Sequence, residues 1–134
     1  MTNAPLVRIV SFGYGHDDPP TATITYDLRV LFRNPHRDPA MRYLTGLDDA
    51  VYTHVLATPG IERVATNAAD TARGLLADTG GPIVIATGCV GGRHRSVGMA
   101  RRIAEHLHAA GTDVDIDHRD VHRDVLPTVT HRAH

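Results

Sequence analysis

The distribution of apolar and polar positions along the chain predicts four β-strands. Residues 6–12 (LVRIVSF) and 82–87 (PIVIAT) are short apolar runs, each followed by glycine. Residues 21–28 (TATITYDL) and 112–117 (TDVDID) instead alternate between the two classes. Runs of this length and pattern, rich in β-branched residues, are typical of strands. The unbroken apolar character of residues 82–87 further indicates a strand that is buried on both faces of a parallel sheet.

Three other segments have the periodicity of helices. The first begins after Asp48, a good N-cap residue, and ends before the sequence TPG at residues 58–60. Residues 61–78 and 96–110 form the second and third, and Gly111 closes the third. Apolar side chains recur every three to four positions in both, which predicts one buried face on each helix. These predicted buried residues are Val64, Ala68, Thr71, Leu75 and Leu76, and then Val97, Ala100, Ile103, Ala104 and Leu107.

Together these elements predict a single small α/β domain with a mainly parallel sheet. The strand at 82–87, the helix at 96–110 and the strand at 112–117 form one βαβ unit. The loop after the first of these strands lies at the carboxyl edge of the sheet, where open α/β sheets bind ligands. At 134 residues the chain has the length of one domain. We expect that domain to span residues 1–123, with a flexible tail at residues 124–134.

Composition narrows the classes of function. The formal net charge is −1, so no chain-wide basic surface indicates nucleic-acid binding. All 14 basic residues are arginine. This bias has two explanations, which are phosphate recognition by guanidinium groups and the codon usage of a GC-rich genome. The single cysteine, Cys89, excludes an internal disulfide and fits a reducing compartment. No apolar run approaches the ~18 residues of a membrane span, and no signal-peptide pattern is present, so we expect a soluble, cytoplasmic protein without a membrane partner.

The candidate chemistry lies in the loop GCVGGRHRS at residues 88–96. Its three glycines permit positive φ angles and allow backbone N–H groups to converge on one point. The helix that follows adds unpaired N–H groups and about half a positive charge, with Ser96 as its cap. Arg93, Arg95 and a protonated His94 add positive side chains. These features predict a phosphate or carboxylate site; a plain glycine-rich turn with solvent-facing arginines is the alternative.

Known catalytic and nucleotide-binding patterns fit this loop less well. The GxxxxGK[ST] pattern is absent, as is any lysine, and the glycine spacing differs from the dinucleotide fingerprint. Cys89, five further residues and then Arg95-Ser96 have the spacing of a cysteine-dependent phosphatase loop, in which a thiolate attacks phosphorus. Gly88 replaces the histidine usual before that cysteine, and no aspartate is identifiable as the general acid. A phosphatase is therefore the alternative function, and no catalytic residue is assigned.

Histidines near the end of the chain raise the question of a metal site. His118 and His122 lie near Asp117 and Asp120, but a His-x3-His pair shares one face only in a helix. The alternating pattern predicts a strand at the start of this stretch, so a solvated surface is the preferred interpretation. We predict no metal and no cofactor.

Five motifs in the same order resemble one known family. GCVGGRHRS at residues 88–96 is similar to the GCTGGxHRS signature of the RapZ-type RNase adapter family. SFGY at residues 11–14 resembles that family's SFGF segment, and LTGLD at residues 44–48 matches it directly. The stretch at residues 27–36 (DLRVLFRNPH) is similar to its DVRFLPNPH, and residues 118–120 match its closing HRD. The chain thus resembles the C-terminal domain of the family.

The resemblance implies an α/β fold with a pocket for a sugar phosphate or a related anion. In some members it also implies binding of a small RNA that is presented to a ribonuclease, and self-association. The N-terminal P-loop kinase-like domain of full-length members is not covered, so binding of ATP or GTP is not carried over. The implied partners are therefore a phosphorylated small molecule, a small RNA, a second copy of the chain, or a separate P-loop protein.

The family's pocket maps onto residues from three parts of the chain. Val90 stands where the family usually has threonine, which removes a hydroxyl that could bond the ligand. Together with the loop argument above, the predicted ligand-binding residues are His16, Asn34, His36, Cys89, Val90, Gly91, Gly92, His94, Arg95 and Ser96. The residues predicted to contact RNA around the same pocket are Arg93, Arg119 and Arg123. The function that follows is a regulatory module that binds a phosphorylated metabolite and is coupled to RNA.

Overall fold

A computed structural model describes residues 5–32 and 39–126. The strands in these ranges are β1 (Val7–Gly13), β2 (Ile24–Asp27), β3 (Ile83–Cys89) and β4 (Val114–His118). The helices are α1 (Leu28–Leu31), α2 (Asp49–Ala57), α3 (Ile61–Thr79) and α4 (Arg95–Ala109). Within the described ranges, no helix combines the length and the apolar character needed to cross a membrane.

The four strands form one parallel sheet in the order β2-β3-β1-β4. The central strands β1 and β3 pair over their whole length, from Val7 opposite Ile83 to Gly13 opposite Cys89. The predicted α/β class with a parallel sheet is confirmed. Because the carboxyl ends of β1 and β3 lie side by side, the loops that follow them start at the same edge of the sheet.

The main apolar core lies on one face of the sheet. Alternate residues of β1 and β3, such as Ile9 and Ile85, belong to the same buried cluster as side chains of α2, α3 and α4. Since alternate side chains of a strand point to one face, these three helices cover the same face. Each aliphatic side chain buried there contributes about 1.5–3 kcal/mol. The predicted face of α4 is confirmed, with buried Val97, Ala100, Ile103, Ala104 and Leu107.

The second strand is shorter than the alternating pattern predicts. β2 begins only at Ile24, and Leu28 already belongs to α1. The Asp27 carboxylate accepts a hydrogen bond from the Arg29 amide at 3.0 Å. This contact caps α1 and ends the strand. The predicted strand therefore began too early, at residue 21, whereas its predicted end near residues 27–29 is confirmed, because the cap of α1 ends β2 at Asp27.

The buried face of α3 also differs from the prediction. Ile61 and a set of alanines face the core, whereas Thr71 is exposed and Val64 is only partly buried. α3 packs directly against α4, and alanine side chains permit a close approach of two helices. The apolar periodicity therefore identified the helix and most of the face that it buries, because Ala68 is buried and Val64, Leu75 and Leu76 pack against the core, and only Thr71 was wrong.

The predicted βαβ unit is present, with one strand between its two strands. β1 lies between β3 and β4, so the connection through α4 passes over one strand position. The unit thus joins two strands of one sheet that are not neighbours. This arrangement places the start of α4 above the central strands, next to the carboxyl ends of both β1 and β3.

Candidate functional site

Two loops begin side by side at the carboxyl edge of the sheet. They are the β1–β2 loop, residues 14–23, and the β3–α4 loop, residues 90–94. The amide of Gly15 donates to the carbonyl of Val90 at 2.9 Å, which carries the parallel pairing beyond the strands. The sequence-predicted site residues of both loops are thereby held close together.

Glycines permit the two loops to touch through their backbones. A Cβ on Gly13 would lie 2.6 Å from the carbonyl carbon of Gly91, and a Cβ on Gly92 would lie 2.7 Å from the amide nitrogen of Gly13. Gly92 also has a φ of 74°, a left-handed conformation that favours glycine. Of the three glycines predicted to supply positive φ, only Gly92 does so within the loop. Gly88 lies in β3, where a Cβ would be 2.4 Å from the Phe12 ring.

The thiol of Cys89 is bonded inside this loop. Its Sγ donates to the Ser96 hydroxyl at 3.2 Å and accepts from the Gly92 amide at 3.3 Å. Cys89 is 3% exposed and Ser96 is fully buried. The prediction of Ser96 as helix cap was wrong: α4 begins one residue earlier, with His94 at the cap position, and Ser96 instead bonds to Cys89. These contacts support a structural role for the thiol.

The start of α4 retains the unpaired donors of a helix N-terminus. His94 makes no side-chain capping bond to the first turn. Among residues 5–32 and 39–126, the amides of Arg95, Ser96 and Val97 have no backbone acceptor. Such amides and the helix dipole favour an anion. A Cβ on nearby Gly91 would meet nothing within 4 Å, so space is open beside the loop.

Arg95 places a positive charge beneath the loop. It is 4% exposed, and its Nη1 donates to the carbonyls of Leu28 at 2.9 Å and Phe32 at 2.5 Å. Its Nε is buried without a partner in the described part of the chain. Burial lowers the pKa of Arg95, and the neighbouring Cys89 and Asp27 oppose that shift. The guanidinium nevertheless stays protonated, as arginine does in proteins.

Arg93 and His94 anchor the segment before α2 over the start of α4. Arg93 Nη2 donates to the carbonyl of Tyr43 at 2.5 Å, and the Arg93 carbonyl accepts from the Gly46 amide at 2.6 Å. His94 Nε2 lies 2.9 Å from the carbonyl oxygen of Met41. Because a carbonyl only accepts hydrogen bonds, Nε2 carries the ring proton in this contact. Both side chains therefore close the site on one side.

His16 approaches from the β1–β2 loop. Burial and the Arg123 guanidinium lower the pKa of His16, while Asp120, the Gly91 backbone and Asp17 oppose the shift. Its Nε2 is buried and has no partner within the described residues. His16 is therefore biased towards the neutral form at neutral pH, and its ring lies beside the Gly91 backbone.

A buried carboxylate that the sequence analysis did not select lies behind the two loops. Asp120 is 1% exposed and accepts hydrogen bonds from the Gly13 amide and from two arginines, Arg119 and Arg123. Burial alone would raise the pKa of Asp120, but the bonds from these three donors outweigh it and the pKa is lowered. The HRD motif includes Asp120 but does not indicate its structural role. Only the packing reveals it, since Asp120 is distant from Gly13 in sequence.

The structure thus brings together His16 with the predicted residues of the β3–α4 loop and α4, which are Cys89, Val90, Gly91, Gly92, His94, Arg95 and Ser96. Asn34 and His36 lie outside the described residues. Val90 is 7% exposed, so its side chain is turned into the protein while its carbonyl bonds to Gly15.

The three arginines predicted to contact RNA all have partners within the chain. Arg93 donates to the carbonyl of Arg123 at 2.9 Å. Arg119 donates to Asp120 and to the carbonyl of Asp18, and Arg123 pairs with Asp17 at 2.6 Å. Their charges therefore contribute first to holding the loops together.

One of the two histidines considered for a metal site, His118, makes a contact across the sheet. His118 Nδ1 lies 2.7 Å from the hydroxyl of Ser11, its neighbour across the β1–β4 pair. Among the residues that the structure describes, no group of three or more potential ligands is arranged to hold a metal ion.

A concave surface feature lies beside the β3–α4 loop. It is a surface depression of about 510 Å³ between the segment before α2, the β3–α4 loop and the residues after β4. Its lining carries three arginines and one histidine against one aspartate, in the set Arg42, Tyr43, Arg93, His122, Arg123, Asp124, Val125 and Leu126. This basic lining would suit a second anionic group.

The sheet, the glycine contacts and the unpaired amides at the start of α4 define a small parallel α/β protein whose candidate site lies at the carboxyl edge of its sheet. Residues 5–122 match the model of the family described as the RapZ C-terminal domain. The chain belongs to that family, and the resemblance seen in its five motifs is confirmed.

Similar proteins carry the domain within longer chains. A nucleotide-binding protein of Thermus thermophilus is 42% identical over 122 residues, which is 89% of this chain and 44% of the relative. Nucleotide-binding proteins of Sphingopyxis alaskensis and Thermobifida fusca are 39% and 38% identical over 121 residues, covering 38% and 41% of their lengths. The chain therefore spans about two fifths of the curated relatives that it matches.

Proposed function

We propose that this chain is a regulatory module that binds a phosphorylated metabolite, such as a sugar phosphate, at the β3–α4 loop. The observation that carries the proposal is the start of α4, where three amides lack a backbone acceptor among the described residues and Arg95 adds a buried guanidinium that interacts with Cys89. A dianion there would accept several N–H bonds at once and gain from the helix dipole.

The surroundings favour a ligand with a polar body attached to its phosphate. His16 offers a ring nitrogen without a partner in the described part of the chain, and Gly91 leaves space open beside it. A hexose or amino-sugar ring presents hydroxyl or amino groups that such a wall can bond. The relatives are longer chains that are named for nucleotide binding. Nucleotides therefore belong among the ligands to be tested.

The test is a thermal-shift and calorimetric screen with phosphate, sulfate, hexose phosphates, amino-sugar phosphates and nucleotides. We compare wild type with Gly91→Glu, which adds a bulky negative side chain where a Cβ meets nothing within 4 Å. Saturable binding raises the melting temperature as ligand concentration increases, and Gly91→Glu should abolish that rise.

Gly74→Glu is the matched control, because Gly74 on α3 also has open space around its Cβ position and the charge change is the same. It should retain binding. A wild-type protein that binds none of these anions would refute the proposal. Phosphate release that disappears in Cys89→Ser would instead support the cysteine-dependent phosphatase.

RNA binding is a second candidate, favoured by the basic depression of about 510 Å³ beside the site. Contacts with RNA phosphates would make the affinity fall steeply with salt. A fluorescently labelled RNA should then bind wild type more tightly than Arg42→Gln, with a shallower salt dependence in the variant. Equal affinities and slopes would refute a role for the depression in RNA binding.

A further inference from the structure

The carboxylate of Asp120 holds a position between the two loops of the candidate site. Its Oδ2 accepts from the Gly13 amide at 2.8 Å and from Arg119 Nη2 at 2.9 Å. Its Oδ1 accepts from Arg123 Nη1 at 3.3 Å. A buried carboxylate is stable only when such donors satisfy it. The network therefore fixes Asp120 and, through it, the end of β1.

Asp120 also touches the backbone of the β3–α4 loop. A Cβ on Gly92 would lie 2.9 Å from the Cβ of Asp120 and 2.7 Å from the Gly13 amide nitrogen. Gly13 and Gly92 are thus in direct backbone contact, and Asp120 bonds to one while packing against the other. A small displacement of this side chain would shift both loops.

The arginines around Asp120 extend the network to the β1–β2 loop. Arg119 Nη1 donates to the carbonyl of Asp18 at 2.7 Å, and Arg123 bonds to the Asp17 carboxylate at 2.6 Å. These residues lie next to His16 in the chain. The same network therefore sets the path of the loop that carries His16 to the site.

We propose that Asp120 is a positioning residue of the anion site: its carboxylate, held by Arg119 and Arg123, aligns Gly13 and Gly92 so that the β3–α4 loop accepts its ligand. This inference rests on the proposed function. It also assigns Arg119 and Arg123 a role in supporting the site, whereas the sequence predicted that they contact RNA.

Because Asp120 is negatively charged, the direction in which its substitution changes the ligand affinity tests the proposal. A negative charge close to an anion site repels the ligand, so its simple removal should strengthen binding. Loss of alignment acts in the opposite direction and weakens binding. Asp120→Asn removes the charge and replaces one of the two acceptor oxygens by an NH2 donor, whereas Asp115→Asn removes an exposed carboxylate that pairs with Arg8, outside the network.

Calorimetric titration of both variants with glucose 6-phosphate and inorganic phosphate at constant ionic strength separates the two effects. We expect Asp120→Asn to weaken binding about tenfold, as is typical for a group that supports direct ligands. Asp115→Asn should change it less than about twofold, because exposed ion pairs contribute little. In amide-resolved NMR spectra the Gly13 and Gly92 signals should shift in Asp120→Asn and stay in place in Asp115→Asn.

Each outcome separates the inference from the function on which it rests. Wild type that binds neither phosphate compound refutes the proposed function, whereas ligand-binding wild type with an equal or tighter Asp120→Asn refutes only the positioning role. If Asp120→Asn does not fold, Asp120→Glu replaces it: the longer side chain keeps the charge and the arginine pairs but displaces the oxygens from Gly13. Folded Asp120→Glu with wild-type affinity would overturn the proposal.

Discussion

At the scale of single residues, Arg95 both supplies a positive charge to the candidate site and links two parts of the structure. Arg95 is almost fully buried and joins the start of α4 to the carbonyls of Leu28 and Phe32 around α1. The sequence predicted the charge from its place in the loop. It gave no indication of the two carbonyls, because they lie more than sixty positions away in sequence.

This double role predicts the effect of Arg95→Lys. Both carbonyls accept from Nη1, and the lysine ammonium ends one bond short of that position, so at least one buried carbonyl loses its donor. We expect the free energy of unfolding, measured with urea, to fall by about 1–3 kcal/mol. Arg63→Lys, on the exposed side of α3, should change it by less than about 0.5 kcal/mol. Equal stabilities of the two variants would contradict the buried link.

At the scale of elements, the site depends on which glycines permit the loops to meet. The sequence showed three glycines in the loop but could not distinguish their tasks. Gly88 makes room for an aromatic ring, Gly92 combines a φ of 74° with backbone contact, and Gly91 faces open space. The distinction depends on Gly13, which comes from another strand.

Alanine substitutions separate these tasks. Gly92→Ala should destabilise the protein by about 1–3 kcal/mol, because alanine is strained at positive φ and its Cβ collides with Gly13. Gly91→Ala should stay within about 0.5 kcal/mol of wild type, since its Cβ meets nothing. Urea denaturation measures both. A Gly92→Ala variant as stable as Gly91→Ala would show that the two loops are not in close contact.

At the scale of the whole molecule, local patterns predicted elements better than their arrangement. The apolar runs at β1 and β3 and the buried face of α4 were found from periodicity because each is a property of one segment. The position of β1 between β3 and β4 was not, since strand pairing joins segments that are distant in sequence. Asp120 escaped selection for the same reason: Arg119 and Arg123 are its neighbours in sequence, but the donor that joins it to the candidate site, the Gly13 amide, is 107 positions away.

The position of His118 between β1 and β4 makes the free energy of unfolding of the whole molecule depend on pH. Burial lowers the pKa of His118 from 6.5, and although Asp117 opposes the shift, Arg101 and His122 add to it. A group whose folded-state pKa is lowered binds its proton less readily when folded than when unfolded. Its contribution to stability is therefore complete above about pH 6.5 and is lost as the pH falls through the lowered folded-state value.

We accordingly expect the free energy of unfolding to decrease between about pH 7.5 and pH 5.5, with His16 acting in the same direction because its pKa is lowered too. Urea denaturation at several pH values should give a shallower decrease for His118→Gln than for wild type. His108→Gln, on the exposed side of α4, should keep the wild-type slope. If His118→Gln kept that slope as well, the buried contact between His118 and Ser11 would not be the source of the pH dependence, and protonation elsewhere would have to account for it.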